Sequence, residues 1–142
     1  MPRAVVDANV LIAARLSRDQ DHDRARRIAN AFDAGDLPTG IVLSDVLEEI
    51  LDYLQARSTP AVAVETLDAV IGSRGFELVY TPKADFDAGR SLFRTHDRLS
   101  LTDGVVAASM DRRDIEYLHS FDDGFDSVGG VTRLVTAENP FE

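Results

Sequence analysis

The sequence predicts an α/β fold, a three-layer α/β/α domain built on a mostly parallel, five-stranded sheet. Short apolar runs alternate along the chain with segments in which apolar residues recur at helical spacing. Strands separated by helices need crossover connections, and these make neighbouring strands parallel. The chain has 142 residues, 44% of them hydrophobic, and no cysteine, so we expect residues 1–142 to form one domain with its own core.

The first half of the chain predicts two strands and four helices. Residues 4–7 form an apolar strand that runs into a helix, and a second helix opens at residues 19–23 and ends at Gly35. Residues 40–43 predict the second strand, after which Ser44 or Asp45 is expected to cap a helix that extends past Leu54. Pro60 begins the next helix, which ends at the glycines between residues 72 and 75.

The second half predicts three strands and two helices. Residues 76–80 form a strand, and helices follow over roughly residues 83–94 and 101–112. Residues 115–119 and 131–135 complete the sheet as strands. Ligands of such sheets lie beyond the carboxyl ends of the strands, so the chemistry is expected where apolar runs stop.

The charge of the chain allows two interpretations. The formal net charge is −10, Lys83 is the only lysine, and 18 of the 25 acidic residues are aspartate. An acidic surface argues against a nucleic-acid partner, because neutralising phosphates supplies most of the nonspecific affinity. Aspartate-rich, lysine-poor surfaces also resemble those of proteins from salt-accumulating cells, where multimolar salt shrinks the screening length to ~3 Å or less. We favour the second interpretation, a halophilic archaeon as the source, under which net charge excludes no partner.

The N-terminal residues 1–7 lack the apolar stretch of a signal peptide, and no run approaches the ~18 apolar residues of a membrane span. We therefore expect a cytoplasmic protein with no membrane association.

Acidic residues stand at several strand ends and helix starts. Asp7 ends the first strand, and Asp122 follows the fourth. Asp103 lies in the opening turn of one predicted helix. Glu48 or Glu49 lies in the opening turns of another. Each also has a purely structural interpretation: Asp7 as a helix cap, Asp45–Glu48 and Ser100–Asp103 as capping boxes, and residues 122–124 as a solvated turn.

A parallel sheet would gather these acids on one edge, and their charges then matter. Two ionised carboxylates ~4 Å apart repel by ~4 kcal/mol at an effective dielectric constant near 20. Four together need raised pKa values or a bound cation. Oxygen ligands suit hard ions such as Mg²⁺ or Mn²⁺, which activate water and stabilise a phosphodiester under attack.

Four segments together resemble the PIN-domain ribonucleases, in particular the VapC toxins of toxin–antitoxin pairs. The first is Asp7-Ala8-Asn9 after an apolar strand, and the second is Val46-Leu47-Glu48-Glu49-Ile50-Leu51 on a helix. The third is Ser100-Leu101-Thr102-Asp103 at a helix start, and the fourth is Ser120-Phe121-Asp122-Asp123-Gly124-Phe125. All four occur in the family's order and span nearly the whole chain.

The resemblance implies a role for each position. Asp7 and Asp103 would be the metal ligands for Mg²⁺ or Mn²⁺, and Glu49 and Asp122 would complete a four-carboxylate site. Asn9, Thr102 and Ser120 would orient the carboxylates or face the phosphate. Helical periodicity alone does not choose between Glu48 and Glu49; the family register favours Glu49. An RNA substrate, an antitoxin protein and a homodimer are the implied partners.

Other functions stay open from the residues alone. An acid-cluster phosphatase with Asp7 as nucleophile lacks a second aspartate at position 9, where Asn9 stands. A non-catalytic module that binds a partner gains nothing from the repulsion of four acids, and a housekeeping RNA-processing nuclease would look the same. The three histidines are too scattered for a zinc site. Arginines on three helices either contact RNA or pair with surface acids; they are Arg24, Arg26, Arg27, Arg90, Arg94, Arg98, Arg112 and Arg113.

Overall fold

A computed structural model describes residues 2–142 and, within them, five strands and six α-helices. The elements in chain order are β1 (Arg3–Val6), α1 (Ala8–Arg15), α2 (His22–Ala34), β2 (Thr39–Leu43), α3 (Ser44–Arg57), α4 (Pro60–Gly72), β3 (Phe76–Val79), α5 (Lys83–Thr95), α6 (Leu101–Arg113), β4 (Tyr117–His119) and β5 (Thr132–Leu134). A short 3-10 helix, Asp123–Ser127, lies between β4 and β5. The predicted α/β class is confirmed, and the element boundaries differ from the predicted ones by a few residues.

The strands form one sheet in the order β3-β2-β1-β4-β5, and every neighbouring pair is parallel. The predicted five-stranded sheet is therefore confirmed, with parallel pairing throughout. Val5 of the central strand lies beside Ile41 of β2 and Leu118 of β4. Because all strands run the same way, their carboxyl ends share one edge, and β1 and β4 end side by side there.

The helices pack in pairs, α1 with α2, α3 with α4 and α5 with α6. The pair α1 and α2 connects β1 to β2, and the pair α3 and α4 connects β2 to β3, so the chain moves outward along the sheet. The pair α5 and α6 connects β3 to β4, on the other side of β1, and so runs in the opposite direction across the sheet. Right-handed crossovers then put α1 to α4 on one face and α5 and α6 on the other. This is the three-layer arrangement that the sequence predicts.

One aromatic cluster anchors α2 to the sheet. The ring centroid of Phe32 lies 5.4 Å from that of Phe76 and 5.0 Å from that of His119. A Cβ atom at Gly40 of β2 would come within 3.0 Å of both phenylalanine rings, so the glycine makes room for them. Burial lowers the pKa of His119 to about 4, which leaves its ring neutral in the core.

The pair α5 and α6 approaches so closely that only glycine fits at the contact. A Cβ atom at Gly104 would lie 2.6 Å from the carbonyl oxygen of Gly89, and one at Gly89 would lie 2.7 Å from the Val105 backbone. Buried Asp85 of α5 accepts hydrogen bonds from Ser109 at 2.6 Å and from Arg112 Nε at 2.6 Å, both on α6. Burial alone would raise the pKa of Asp85, but the bonds from Arg112 and Ser109 outweigh it and hold that pKa below its usual value.

The predicted cap of α3 is wrong. This helix begins at Ser44 itself, Leu43 occupies the cap position, and no side chain bonds to the free backbone donors there. The reason is that β2 runs into α3 without an intervening loop, so neither Ser44 nor Asp45 can stand outside the first turn. The capping box of Ser100 and Asp103 is confirmed.

The helices found within residues 2–142 are too short or too polar to cross a lipid bilayer.

Candidate active site

Asp7 follows β1 at the shared carboxyl edge and is almost completely enclosed, with 4% of its surface exposed. Its backbone N–H donates to the carbonyl of His119 at 3.0 Å, which continues the pairing of β1 with β4. Its Oδ1 accepts from the N–H of Ala8 at 2.8 Å and caps α1. The sheet therefore fixes the backbone of Asp7, and the helix start fixes its carboxylate.

Ser120 and Asn9 complete the surroundings of Asp7. The hydroxyl of Ser120 donates to Asp7 Oδ2 at 2.8 Å and accepts from the N–H of Asp122 at 3.1 Å. The amide of Asn9 donates to that hydroxyl at 3.1 Å and to Asp7 Oδ2 at 3.3 Å, while its oxygen accepts from the N–H of Phe121 at 3.0 Å. The ends of β1 and β4 are thus joined through side chains, as expected of residues that orient a carboxylate.

Asp103 lies in the first turn of α6, in the capping box with Ser100. Its N–H donates to Ser100 Oγ at 3.1 Å, and its Oδ2 accepts from the Ser100 N–H at 3.3 Å. Burial raises the pKa of Asp103, the hydrogen bonds from Ser100 lower it, and the charge of Asp122 raises it further. The net direction is upward, so Asp103 holds its proton more tightly than a free aspartate.

Glu49 is the glutamate of α3 whose charge acts on the other acids. Burial and the charge of Asp103 raise the pKa of Glu49, and the charge of Glu49 in turn contributes to the raised pKa of Asp7. The position that the family register favours is therefore the one coupled to both Asp7 and Asp103.

Asp122 follows β4 and caps the 3-10 helix, accepting from the N–H of Gly124 at 2.9 Å. It is half-buried, and its charge reaches Asp103. All four predicted acids consequently lie within electrostatic reach of at least one other member of the group.

Of the four acids, Asp7 has the most strongly raised pKa. Burial raises the pKa of Asp7 to about 7; the hydrogen bonds from Ser120 and Ala8 oppose that shift, and the charges of Asp103 and Glu49 add to it. The cluster is therefore a place where negative charge is costly unless a proton or a cation offsets it.

The donor chemistry of the cluster fits a hard divalent cation. All four acids offer carboxylate oxygens, and the surrounding donors are hydroxyl and amide groups, the set preferred by Mg²⁺ and Mn²⁺. Within residues 2–142, no three acidic or histidine side chains already stand in a metal-binding arrangement. The fit accordingly rests on donor type and on the raised pKa of Asp7, rather than on a preformed coordination shell.

A groove leads away from the cluster along α3. Its walls come from α3, α5 and α6, and it is lined by Asp45, Glu48, Glu49, Asp52, Tyr53, Phe86, Leu101, Thr102 and Val105. Thr102, predicted as an orienting residue, is half-buried and borders this groove beside the glutamates.

Sequence reasoning missed Arg133 and did not place Arg24 beside Asp122. The guanidinium of Arg24 lies 4.0 Å from the ring centroid of Phe121, and Arg133 donates to the carbonyl of Ser120 at 3.3 Å. Arg24 stood out only as one of several helix arginines, because a contact with a residue 97 positions away leaves no local pattern.

The fold, the acidic residues at the strand ends and a comparison of the sequence with family models all indicate the same class of protein. The PIN domain family model matches residues 4–131, and the chain belongs to this family. The resemblance carried by the four sequence segments is thereby confirmed.

Within that family, the chain is similar to VapC ribonucleases. It is 29% identical over 131 residues to ribonuclease VapC13 of Mycobacterium tuberculosis, an alignment that covers 92% of this chain and 98% of that protein. VapC ribonuclease Mb1869c of Mycobacterium bovis matches equally well, at 29% identity over 131 residues.

Solved structures share the fold. VapC20 of Mycobacterium tuberculosis, described as a sarcin–ricin loop cleaving toxin, superposes with a TM-score of 0.78 at 21% identity, over 96% of this chain and 99% of that one. VapBC2 of Rickettsia felis, bound to a DNA fragment from its promoter, superposes with a TM-score of 0.69 at 13% identity, over 93% and 97%.

Proposed function

We propose that this protein is a metal-dependent ribonuclease that hydrolyses RNA phosphodiester bonds, and that it is the toxin of a toxin–antitoxin pair. Membership of the PIN family and similarity to VapC ribonucleases support the reaction class. The observation that carries the proposal is the enclosed Asp7, which is 4% exposed at the carboxyl edge of the sheet and accepts from both Ser120 and Asn9 on one oxygen. Burial first, and then the charges of Asp103 and Glu49, raise the pKa of Asp7 to about 7. A core gains nothing from an enclosed carboxylate beside other acids, whereas a bound cation offsets its cost in an active site.

Asp7 and Asp103 would hold the metal, and Glu49 and Asp122 would complete its surroundings directly or through water. When bound, Mg²⁺ or Mn²⁺ supplies Lewis-acid chemistry, polarising a phosphate oxygen and lowering the pKa of a water molecule.

The chain's own residues then have separate tasks. Ser120 and Asn9 both donate to Asp7 Oδ2 and hold that carboxylate in one orientation. Glu49 or Asp122 aligns the attacking water and accepts its proton. Water is the nucleophile and no side chain bonds covalently to phosphorus. Its oxygen bonds to phosphorus as the bond to the 3′ oxygen breaks, and the 3′ oxygen takes a proton from solvent, so the products carry 5′-phosphate and 3′-hydroxyl ends, as the family resemblance implies.

An antitoxin is the proposed protein partner. Structural neighbours include DNA-bound VapBC of Salmonella typhimurium and a toxin–antitoxin complex of Klebsiella pneumoniae, with TM-scores of 0.66 and 0.65. A short open reading frame directly upstream of the gene for this chain would support the partnership, and its absence would favour a housekeeping nuclease.

We also propose a homodimer in the cytoplasm. On α4, Val64 is 57% exposed and Ile71 is 60% exposed, more apolar surface than a solvated helix needs. Light scattering at high salt should give twice the 15.6 kDa of one chain. A species of 15.6 kDa alone would contradict the dimer.

The reaction is tested by RNA cleavage at high salt with Mn²⁺ or Mg²⁺, with and without EDTA. We expect cleavage by the wild type only with metal, and none by Asp7→Asn or Asp103→Asn. Circular dichroism checks that both variants fold. Cleavage that persists in EDTA, or in both variants at the wild-type rate, would refute the metal mechanism.

A further inference from the structure

Residues 120–127, which carry Ser120 and Asp122 and which we call the site loop, are held by three arginines from separate parts of the chain. Arg24 comes from α2, Arg98 from the turn before α6, and Arg133 from β5. Acids outnumber basic residues 25 to 15 in this chain, whereas the three guanidinium groups equal in number the three acids of the site loop, Asp122, Asp123 and Asp126.

Arg24 stacks on the site loop beside the carboxylates. Its guanidinium lies 4.0 Å from the ring centroid of Phe121, between Ser120 and Asp122 in the chain. Its Nε and Nη2 bond to Asp21 at 2.9 and 2.7 Å, which fixes the direction of the group, while 44% of its side chain stays exposed. Since a guanidinium has five N–H donors, the bonds to Asp21 leave others for a ligand.

Arg98 and Arg133 bind other residues of the same loop. Arg98 bonds to Asp123 and keeps 62% of its side chain exposed. Arg133 bonds to both oxygens of Asp126, at 3.0 and 3.1 Å, and to the carbonyl of Ser120 at 3.3 Å, with 20% of its side chain exposed. Arg133 therefore positions the loop, whereas Arg24 and Arg98 present accessible positive groups.

The groove along α3, also beside the cluster, is richer in acids than in basic groups. Its lining includes Asp45, Glu48, Glu49 and Asp52. Two arginines lie over its aromatic side chains, Arg57 over Tyr53 at 5.3 Å and Arg90 over Phe86 at 5.7 Å. A polyanion that runs along α3 thus meets more carboxylates than guanidinium groups, whereas the site loop is contacted by as many arginines as it has acids.

We infer that RNA enters and leaves the site across the site loop, with Arg24 and Arg98 contacting backbone phosphates on either side of the cleaved bond, and that it does not run along α3. The acids paired with these arginines do not prevent this. Exposed ion pairs contribute only ~0–1 kcal/mol, so a phosphate can share or replace the aspartate. The inference rests on the proposed ribonuclease function and adds the route of the substrate.

The test measures binding of a fluorescein-labelled single-stranded RNA by anisotropy, in EDTA so that the RNA stays intact. The variants are Arg24→Gln and Arg98→Gln, each purified as the full chain. The matched control is Arg90→Gln: Arg90 also pairs with an aspartate three residues earlier, Asp87 at 3.3 Å, and also lies over a phenylalanine ring, that of Phe86 at 5.7 Å. It removes the same charge and the same kind of contacts beside the groove along α3, which Phe86 lines, so it also tests the route that the inference excludes.

We expect Arg24→Gln and Arg98→Gln to raise the RNA dissociation constant roughly three- to tenfold each, as the loss of one phosphate contact does, and Arg90→Gln to change it less than twofold. Arg24→Lys should recover part of the loss, because it restores the charge without the planar fork. Equal effects in all three glutamine variants, or no RNA binding by the wild type, would overturn the inference. Cleavage of the same RNA by the wild type with Mn²⁺ is scored separately, so failure of the ribonuclease proposal is distinguishable from failure of the route.

Discussion

Asp7, Asp103 and Asp122 each cap the start of a helix and also belong to the acidic cluster. The coincidence has a geometric cause. Helices that follow parallel strands begin at the carboxyl edge of the sheet, where their free N–H groups favour an acid. The capping interpretation is confirmed for these residues. The functional interpretation stays a prediction, and one position can satisfy both, so a sequence pattern alone does not separate them.

Glu48 and Glu49 provide the residue-scale test of which glutamate serves the site. Glu49→Gln should lower the cleavage rate about ten- to hundredfold, because it removes a charge coupled to Asp7 and Asp103. Glu48→Gln, one residue away on the same helix, should leave the rate within twofold. Initial rates at saturating Mn²⁺ measure both. The reverse order of the two variants would move the site to Glu48.

The raised pKa of Asp7 predicts a pH-dependent cost to the metal-free protein. The folded-state pKa of about 7 lies above the ordinary value of 3.8, so the folded state binds more protons than the unfolded state between these values. The metal-free wild type should therefore lose stability as pH rises from about 4 to about 7. Asp7→Asn should lose less, because only the raised pKa values of Asp103 and Glu49 remain, and it should exceed the wild type by about 1–3 kcal/mol at pH 8, measured by urea unfolding in EDTA.

The same variant supplies its own control at low pH. Near pH 4 wild-type Asp7 is already neutral, so Asp7→Asn should gain nothing, and it should lose slightly because its amide meets the amide of Asn9. Mn²⁺ at pH 8 should stabilise the wild type and not the variant. If Asp7→Asn is less stable than the wild type at pH 8 without metal, the ionised carboxylate of Asp7 does not destabilise the folded protein, and the prediction is wrong.

At the scale of elements, the position of Asp103 depends on how α6 packs on α5. The backbones touch at Gly89 and Gly104, and Asp85 bonds to two residues of α6 one to two turns further on. Gly104 is the residue after Asp103, so the helix contact adjoins the residue that carries the carboxylate. A shift of α6 by the width of a methyl group would displace Asp103 from Asp7.

Gly104→Ala tests this contact, with Gly72→Ala as its matched control. A Cβ atom at Gly104 would lie 2.6 Å from the Gly89 carbonyl oxygen, whereas one at Gly72 meets nothing within 4 Å. Overpacking should destabilise Gly104→Ala by about 1–3 kcal/mol and reduce cleavage as well. Gly72→Ala should be neutral or slightly stabilising. Thermal unfolding and initial rates measure the two effects; equal stability of the two variants would contradict the tight contact.

The order of the elements and the sheet class could be predicted because hydrophobic periodicity and glycine positions act locally along the chain. The start of α3 could not, since Ser44 and Asp45 look like a cap unless it is known that β2 runs straight into the helix. Strand order, with β1 in the centre and β4 beside it, also needs contacts between distant residues. The four acids of the candidate site could be named from strand ends, helix starts and the family pattern, and their catalytic roles stay a prediction. The contact of Arg24 with Phe121 could not be predicted, because it joins distant parts of the chain.

At the scale of the whole molecule, the excess of acids opposes folding at low salt. A net charge of −10 on 142 residues gives self-repulsion that the available ion pairs offset only in part. Most of those ion pairs are exposed. Lys83 is the only lysine, so the surface offers few further positive partners for the acids. Dissolved cations must supply the remaining screening.

We therefore expect the melting temperature to rise by about 5–10 °C between 0.1 M and 2 M KCl, equivalent to roughly 1–3 kcal/mol for a domain of this size. The screening length falls from ~10 Å to below ~3 Å over this range, which removes most repulsion between exposed acids. The gain should shrink near pH 5, close to the isoelectric point of about 4.6, because fewer carboxylates are then charged. It should also be smaller in the double variant Glu48→Gln, Asp52→Asn, which removes two negative charges from the α3 groove. A melting temperature that is independent of KCl at pH 8 would contradict a salt-adapted surface, and the acidic charge would then weigh against RNA binding after all.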